Sequence, residues 1–294
     1  MTLKNLEFLL ASNQKSRNSK SLLQIRSKAN PLKRLQGNSS QQMRQFFRVT
    51  ELLKEPYSTI LGYPKATKAQ LKSRAMELKT LGIDGVSFEG PMEINKLNVL
   101  GKGYAGIVVM AKMKTKKVAL KIRRTDSPRK DMRNETILLN VANKVGVGPK
   151  LIASSKNFVV MEFVAGIKIY DWVSNLKGKG STAKMKNVIK KVLTDCYKLD
   201  EAGLDHGELS NITKHVIVGK NITMIDFESA SLERKSSNVT SASQAILIGS
   251  GLAKMVSKIY KLPPKQKIIS VLRNYKEEKT RQSFDEVLET LKLS

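Results

Sequence analysis

A glycine cluster set between two β-rich runs constrains this chain more than any other feature. Gly101-Lys102-Gly103-Tyr104-Ala105-Gly106-Ile107-Val108 reads GxGxxGxV. In dinucleotide-binding folds such a cluster opens a helix. Here Leu97-Asn98-Val99-Leu100 precedes it, and Gly106–Met110 and Lys117–Ile122 follow as runs rich in β-branched residues. The order predicts a hairpin rather than a strand-to-helix turn. Glycine lets backbone approach an anion closely and turns N–H donors toward it. The cluster therefore fits a lid over phosphates, the plainer alternative being a simple glycine hairpin.

The next run carries a second constraint. In Val118-Ala119-Leu120-Lys121 a lysine sits inside an apolar strand. A buried lone ammonium is costly, so Lys121 needs an anionic partner. Glu135, on the helix expected over 132–144, is the natural candidate, and Glu162, in the apolar segment Phe158–Val164, is the alternative. Further on, both histidines of the chain, His206 and His215, fall in one polar loop. That loop stands just ahead of the apolar run Val216-Ile217-Val218 and of Ile225-Asp226-Phe227.

The rest of the chain bounds the answer. With 294 residues there is room for about two compact units, and 40% hydrophobic residues suffice for a core. The single cysteine, Cys196, excludes an intrachain disulfide framework and a paired-cysteine zinc site. No apolar run approaches the roughly 18 residues of a membrane span. Phe158–Val164 breaks at Glu162, and Ala245–Val256 breaks at Lys254. The opening MTLKNLEFLLASNQ lacks a signal-peptide core and contains Glu7, so a cytoplasmic location without membrane contact is expected.

Charge points to polyanions. Lys and Arg number 53 against 25 Asp and Glu, a formal net charge of +28. That excess predicts attraction to RNA or another anionic surface, the alternative being a solvated lysine-rich exterior. Only 5% of residues are aromatic, so phosphate contact rather than base stacking would dominate RNA binding. Residues 1–48 hold ten basic residues and one acid. They read as a basic, partly helical extension, either a nucleic-acid arm or a tail.

Local patterns order the remainder. Glu51–Lys54 opens a short helix, and Pro56 and Gly62-Tyr63-Pro64 punctuate the stretch after it. Thr67 caps a helix through Leu81, with Leu71, Ala75, Leu78 and Leu81 near one face and Gly82 closing it. Strands are expected from about 86, and helices over 181–203, 245–260, 264–276 and 281–292. A strand-rich half thus precedes a helix-rich half.

Taken in order, the glycine loop, VALK, helix glutamate, MEFV, HGE loop and IDF resemble the protein kinase superfamily from about residue 95 onward. VLGKGYAGIVV, VALKIRR, VGVGPKLIASSKNFVVME, HGELSNITKHVIV and IDFESAS carry the likeness. It is to the archaeal predicted serine/threonine kinases, relatives of the small atypical kinases of the RIO and lipopolysaccharide-kinase type. The resemblance implies an α+β, two-lobed kinase-like fold. A β-rich N-lobe would span 95–165 and a helical C-lobe 166–294, with a helical element over 49–94 packing on the N-lobe. ATP and Mg²⁺ or Mn²⁺ would occupy the cleft.

Roles follow by resemblance. Gly101, Gly103 and Gly106 match the phosphate-covering loop, Lys121 the phosphate-pairing lysine and Glu135 its helix partner. Val108, Ala119, Met161, Glu162 and Val164 match the nucleotide pocket, with Met161 at the back of the adenine and Val164 in the linker. Asp226 matches the metal-holding aspartate of DFG, but the motif reads Asp226-Phe227-Glu228, without its glycine. His206-Gly207-Glu208 stands at HRD, so Glu208 replaces the catalytic aspartate with a carboxylate one methylene longer. It would accept or orient the substrate hydroxyl proton. The metal-binding asparagine is displaced. Thr213 stands at its spacing, His215 takes its place if the VIV strand is aligned, and Asn211 is the rival. An imidazole suits transition metals better than Mg²⁺, which favours Mn²⁺ tolerance. His206 is expected to brace the loop.

No APE motif follows, and Ser236–Gln244 runs straight into a helix. A long peptide-gripping segment is therefore expected to be absent. Folded protein, an RNA-bound partner or the chain itself are the better substrates. Ser236, Ser237, Thr240 and Ser241 are either self-phosphorylation sites or a polar loop and helix cap. Three functions remain in view: an atypical serine/threonine protein kinase, an RNA- or ribosome-associated ATPase switch, and an ATP-binding pseudokinase.

Overall fold

The computed structural model of the chain describes residues 45–294, so the basic extension expected over 1–48 lies almost wholly outside the described residues. The N-terminal half is built on β-structure: β1 (Phe47–Arg48), β2 (Gly85–Ser87), β3 (Met92–Ile94), β4 (Leu97–Val99), β5 (Gly101–Lys102), β6 (Gly106–Met113), β7 (Lys116–Arg123), β8 (Leu151–Ser154) and β9 (Phe158–Glu162). Interleaved are α1 (Ser58–Leu61), α2 (Lys68–Thr80) and α3 (Arg133–Lys144). The main sheet runs β1-β2-β6-β7-β9-β8, with β5 also paired to β6, and every pairing is antiparallel. β3 and β4 form a separate hairpin. Residues 47–87 do more than pack on this sheet. Through β1 and β2 they extend it at one edge, a pairing that no local pattern in the sequence announces.

α2 forms where the sequence predicts it. Thr67 Oγ1 accepts from the Gln70 amide at 3.2 Å, and Gln70 Oε1 accepts from the Thr67 amide at 2.8 Å, a reciprocal capping box. At the other end Gly82, at φ +74°, donates to Lys79 O and Ile83 donates to Leu78 O, a Schellman closure. The apolar face of α2, with Ala75 and Leu78 buried, covers the outer face of the sheet together with Leu52, Ile60 and Leu61. Val118, Leu120 and Ile122 of β7 meet them, flanked by Ile107 and Val109 of β6 and Phe158 and Val160 of β9. The period of two along each strand sorts these residues to one face.

One polar clasp crosses that core. The guanidinium of Arg74, only 4% exposed, donates to Leu61 O at 2.7 Å. Glu77 accepts from the amide and the side chain of Asn157 at 2.7 and 2.8 Å, and Asn157 Oδ1 accepts from Arg123 Nε at 3.0 Å. Burial, with Arg123 nearby, lowers the Arg74 pKa to about 10.

The C-terminal half is helical: β10 (Ile167–Lys168), α4 (Ile169–Asn175), α5 (Ser181–Glu201), a 3₁₀ segment Leu209–Lys214, β11 (Val216–Val218), β12 (Ile222–Met224), α6 (Asn238–Leu247), α7 (Gly251–Ile259), α8 (Lys265–Glu278) and α9 (Arg281–Thr290). β10, β11 and β12 make a small antiparallel sheet. The fold is α+β with a β-rich first lobe and a helical second lobe, as the resemblance implies. α5 buries Met185, Val188, Ile189, Val192, Leu193 and Cys196 at helical spacing. The single helix expected over 245–260 is two helices. Gly249, at φ +75°, breaks the chain, and Ser250 Oγ caps α7 by accepting from Ala253 N at 2.9 Å. α4 carries no clear signal in the sequence. Among the described residues no helix is long and apolar enough to cross a membrane.

Candidate active site

The face of β7 opposite the apolar core carries the charge. Register places Val108 of β6 and Val159 of β9 on either side of Lys121, and Met110 and Met161 on either side of Ala119. Directly paired residues share a face, so Val108, Ala119, Lys121 and Met161 line one surface of the sheet. Glu162 pairs with Val118, on the other face, and is exposed. It is therefore not the partner of Lys121, which corrects the alternative left open by the sequence. Val164 lies just beyond β9, half-buried.

Lys121 gathers three carboxylates. Its Nζ donates to Glu135 Oε1 at 2.7 Å, to Glu228 Oε2 at 2.9 Å and to Asp226 Oδ1 at 3.1 Å. Lys121, Glu135 and Glu228 are each about 5% exposed or less, whereas the Asp226 side chain is 34% exposed. Burial alone would push the lysine pKa down, but the three carboxylates override it and push it up. Burial pushes Glu135 up in spite of the ammonium beside it. Burial acts the same way on Asp226, but Lys121 outweighs it and holds that carboxyl below its usual value. Glu135 Oε2 is buried without a hydrogen-bond partner.

The glycine cluster is a hairpin, as its flanks predict. Gly101 pairs with Val108, and the Gly103 amide donates to Gly106 O at 2.8 Å, leaving Tyr104-Ala105 at the turn. A Cβ on Gly106 would stand 3.0 Å from two Lys121 carbons and 3.1 Å from Ile122 O. Glycine there lets the lysine lie directly under the hairpin. Gly101 has nothing within 4 Å of such a Cβ, so contact does not require glycine at that position. The buried Ala105 amide donates to Glu228 Oε1 at 3.1 Å. Beside the turn, Lys102 donates to Tyr63 Oη at 2.6 Å, and the Arg124 guanidinium stands 5.4 Å from the Tyr63 ring centre.

The polar loop meets this cluster from below. Asp226 adopts φ +70°, a left-handed conformation that Asp tolerates better than most residues. Glu208 accepts a short hydrogen bond from Ser229 Oγ, and its Oε2 lies 2.9 Å from His215 Nε2 without hydrogen-bond alignment. His215 is buried, whereas Asn211 is exposed and accepts from Thr213 Oγ1. His206, fully buried, lies 3.2 Å from Ile225 O through Nε2 and packs on Phe227 and His215. Burial, then His215, lowers its pKa to about 4. Gly148, at φ +83°, makes room for Phe227: a Cβ there would come within 2.7 Å of the ring.

Beneath the loop lies a network that sequence reasoning missed. Asp200, at the end of α5, accepts from the amides of Asn238 and Val239 at 2.9 and 3.1 Å and from Tyr275 Oη at 3.0 Å. Asn238 Oδ1 in turn accepts from the His206 amide at 2.9 Å. Asp200 thus caps α6, a role the sequence left to the serines before it. Ser237 makes no side-chain cap, and Ser236 is buried. The chain from Phe227 to α6 is short and is held by the Asp205–Ser231 bridge and by Arg234 Nε on Asp205 at 2.7 Å.

Lys121 and the Ala105 amide present N–H donors of the kind an anion takes, beside a set of carboxylate oxygens. The Glu228 carboxylate stands in for an oxyanion, held by one hairpin amide and by Lys121. Oxygen donors in excess of ammonium suit Mg²⁺ or Mn²⁺. Asp226 is the accessible carboxylate of the set, and His215 is the buried neighbour. Among the described residues, no three His, Cys, Asp or Glu side chains already converge as a metal cage.

Residues 107–240 match the family model of the RIO domain. The match takes in Lys121, Glu135, Glu208 and Asp226, and it begins at the residue after Gly106. That model describes an atypical kinase domain of the RIO type, within the protein kinase superfamily, a family of atypical kinases and ATPases to which the matched residues are similar. No curated protein matches the chain.

Proposed function

We propose that the chain is an atypical serine/threonine protein kinase that transfers the γ-phosphate of ATP to a protein hydroxyl. The observation that carries this reading is the convergence on Lys121 of Glu135 from α3 and Asp226 from the loop, beneath the glycine hairpin. Phosphoryl transfer asks mainly for positioning and charge neutralisation. Lys121 and the hairpin amides hold the α- and β-phosphates, with Gly103 and Gly106 permitting the approach. Val108, Ala119 and Met161 bound the base, and Glu162 and Val164 lie at the linker. Asp226 holds the divalent cation, with His215 a better second donor than the exposed Asn211. When bound, that cation supplies charge neutralisation at the phosphate oxygens. Glu208, fixed between Ser229 and His215, orients the substrate hydroxyl and accepts its proton. The short segment between Phe227 and α6 offers little grip on an extended peptide, so a folded protein is the favoured substrate.

The net charge of +28 favours a second reading, an ATPase switch bound to RNA or the ribosome. One experiment separates the two. Wild type, Asp226→Asn and Glu208→Gln are incubated with γ-labelled ATP and Mg²⁺ or Mn²⁺, with and without RNA. Label on protein that both substitutions abolish is the expected result. Free phosphate alone, stimulated by RNA, would transfer the assignment to the ATPase, and ATP binding with neither product would leave a pseudokinase.

A further inference from the structure

We propose that Glu228 makes the cleft selective for metal-complexed over metal-free nucleotide; the proposal rests on the reading of the cleft as a nucleotide site. Each oxygen of this one carboxylate engages one of two donors that phosphate needs. Oε1 takes the Ala105 amide of the glycine hairpin at 3.1 Å, and Oε2 takes Lys121 Nζ at 2.9 Å. The side chain is 6% exposed, so it is not a solvated group that happens to lie nearby. A Cβ on Gly103 would be 3.6 Å from Oε2, which puts the carboxylate directly under the hairpin.

Charge turns this placement into selectivity. Lys121 also faces Glu135 and Asp226, so three carboxylates surround one ammonium, a formal excess of two negative charges. One buried oxygen, Glu135 Oε2, has no hydrogen-bond partner. A nucleotide arriving without a cation must compete with Glu228 for both donors and enter a site that is already anionic. A nucleotide arriving with a divalent cation brings the charge that the carboxylates lack, in a setting where low dielectric magnifies such differences. The glycine that usually follows Asp-Phe in this motif has no side chain to act in this way, so the effect belongs to this residue.

The test measures ADP binding by calorimetry in EDTA and in Mg²⁺, for wild type, Glu228→Gln and Glu228→Ala. Thermal unfolding verifies that each variant is folded. Wild type is expected to bind at least 100-fold more tightly with Mg²⁺ than in EDTA. Both variants are expected to gain at least tenfold in EDTA, narrowing the ratio. An unchanged EDTA affinity in a folded variant, or a parallel shift in both conditions, overturns the role of Glu228. Wild type alone adds a test that needs no variant: inorganic pyrophosphate should show the same dependence on Mg²⁺, and equal affinity in both buffers overturns the proposal. A wild type that binds ADP in neither condition instead overturns the nucleotide-site reading beneath it.

Discussion

The two faces of β7 divide labour that other folds spread over separate elements. Val118, Leu120 and Ile122 face a dry apolar layer closed by α2, while Ala119 and Lys121 face the charged cleft. One face gains from burying hydrocarbon. The other holds an ammonium among three carboxylates, an arrangement that a hydrophobic replacement often matches in stability. Adjacent residues of one strand therefore answer to different demands. The comparison predicts that stability and chemistry here can be separated by single substitutions one residue or one loop apart.

The sharpest way to break the comparison is to remove function without removing fold. Asp226→Asn keeps the size and the tolerance of left-handed backbone at φ +70°. Phosphate transfer is expected to fall by about 10³-fold, equivalent to about 4 kcal/mol. The melting temperature should stay within a few degrees, because Lys121 keeps Glu135 and Glu228. A melting temperature that collapses along with transfer would mean that the charged face is also structural.

Leu120→Ala is the converse. Leu120 is fully buried, and its truncation should cost about 3 kcal/mol, or roughly 6–12 °C in a domain of this size. Per folded molecule, nucleotide affinity should be unchanged. An affinity loss beyond threefold would show that the outer core reaches through the strand.

His206 sharpens the comparison through pH. Its pKa falls from 6.5 to about 4 on folding, so between those values the unfolded chain binds the extra proton. Stability is therefore lost as pH falls from 6.5 toward 4, on the order of 3 kcal/mol at the lower limit. Chemical denaturation of wild type and His206→Gln across that range should show a steeper loss in wild type; parallel curves would place the acid sensitivity elsewhere. The smallest effect belongs to the outer side, where Thr67→Ala removes the α2 cap. About 1 kcal/mol is expected, with transfer unaffected.

What could be read from the sequence was local. The glycine hairpin, the lysine on an apolar strand and Glu135 on the next helix each follow from residues a few positions apart. The α2 caps were legible for the same reason: Thr67 and Gly82 close their own helix, whereas the reciprocal part of Gln70 emerged only in the structure. Long-range partners were not. The alternation from about residue 86 announced β2 as a strand, but β1 was not foreseen and nothing local says that both join β6 across a gap in sequence. Asp200 caps α6 from 38 positions away, while the nearby serines looked equally able. Glu228 was visible only as a missing glycine. Its meeting with Ala105 and Lys121 depends on the backbone turn at Asp226, which composition does not encode. The split near Gly249 was masked because apolar residues continue on both sides of it.

The contact of Tyr63 with Lys102 and Arg124 ties the glycine hairpin to the loop between α1 and α2. The tie falls beside the turn, one residue before Gly103, and Tyr104 beyond it is exposed. The pairing of β5 with β6 is only two residues long, so a side chain from outside the sheet supplements its few ladder bonds. The position of the turn is thus set in part by a residue that no strand contributes.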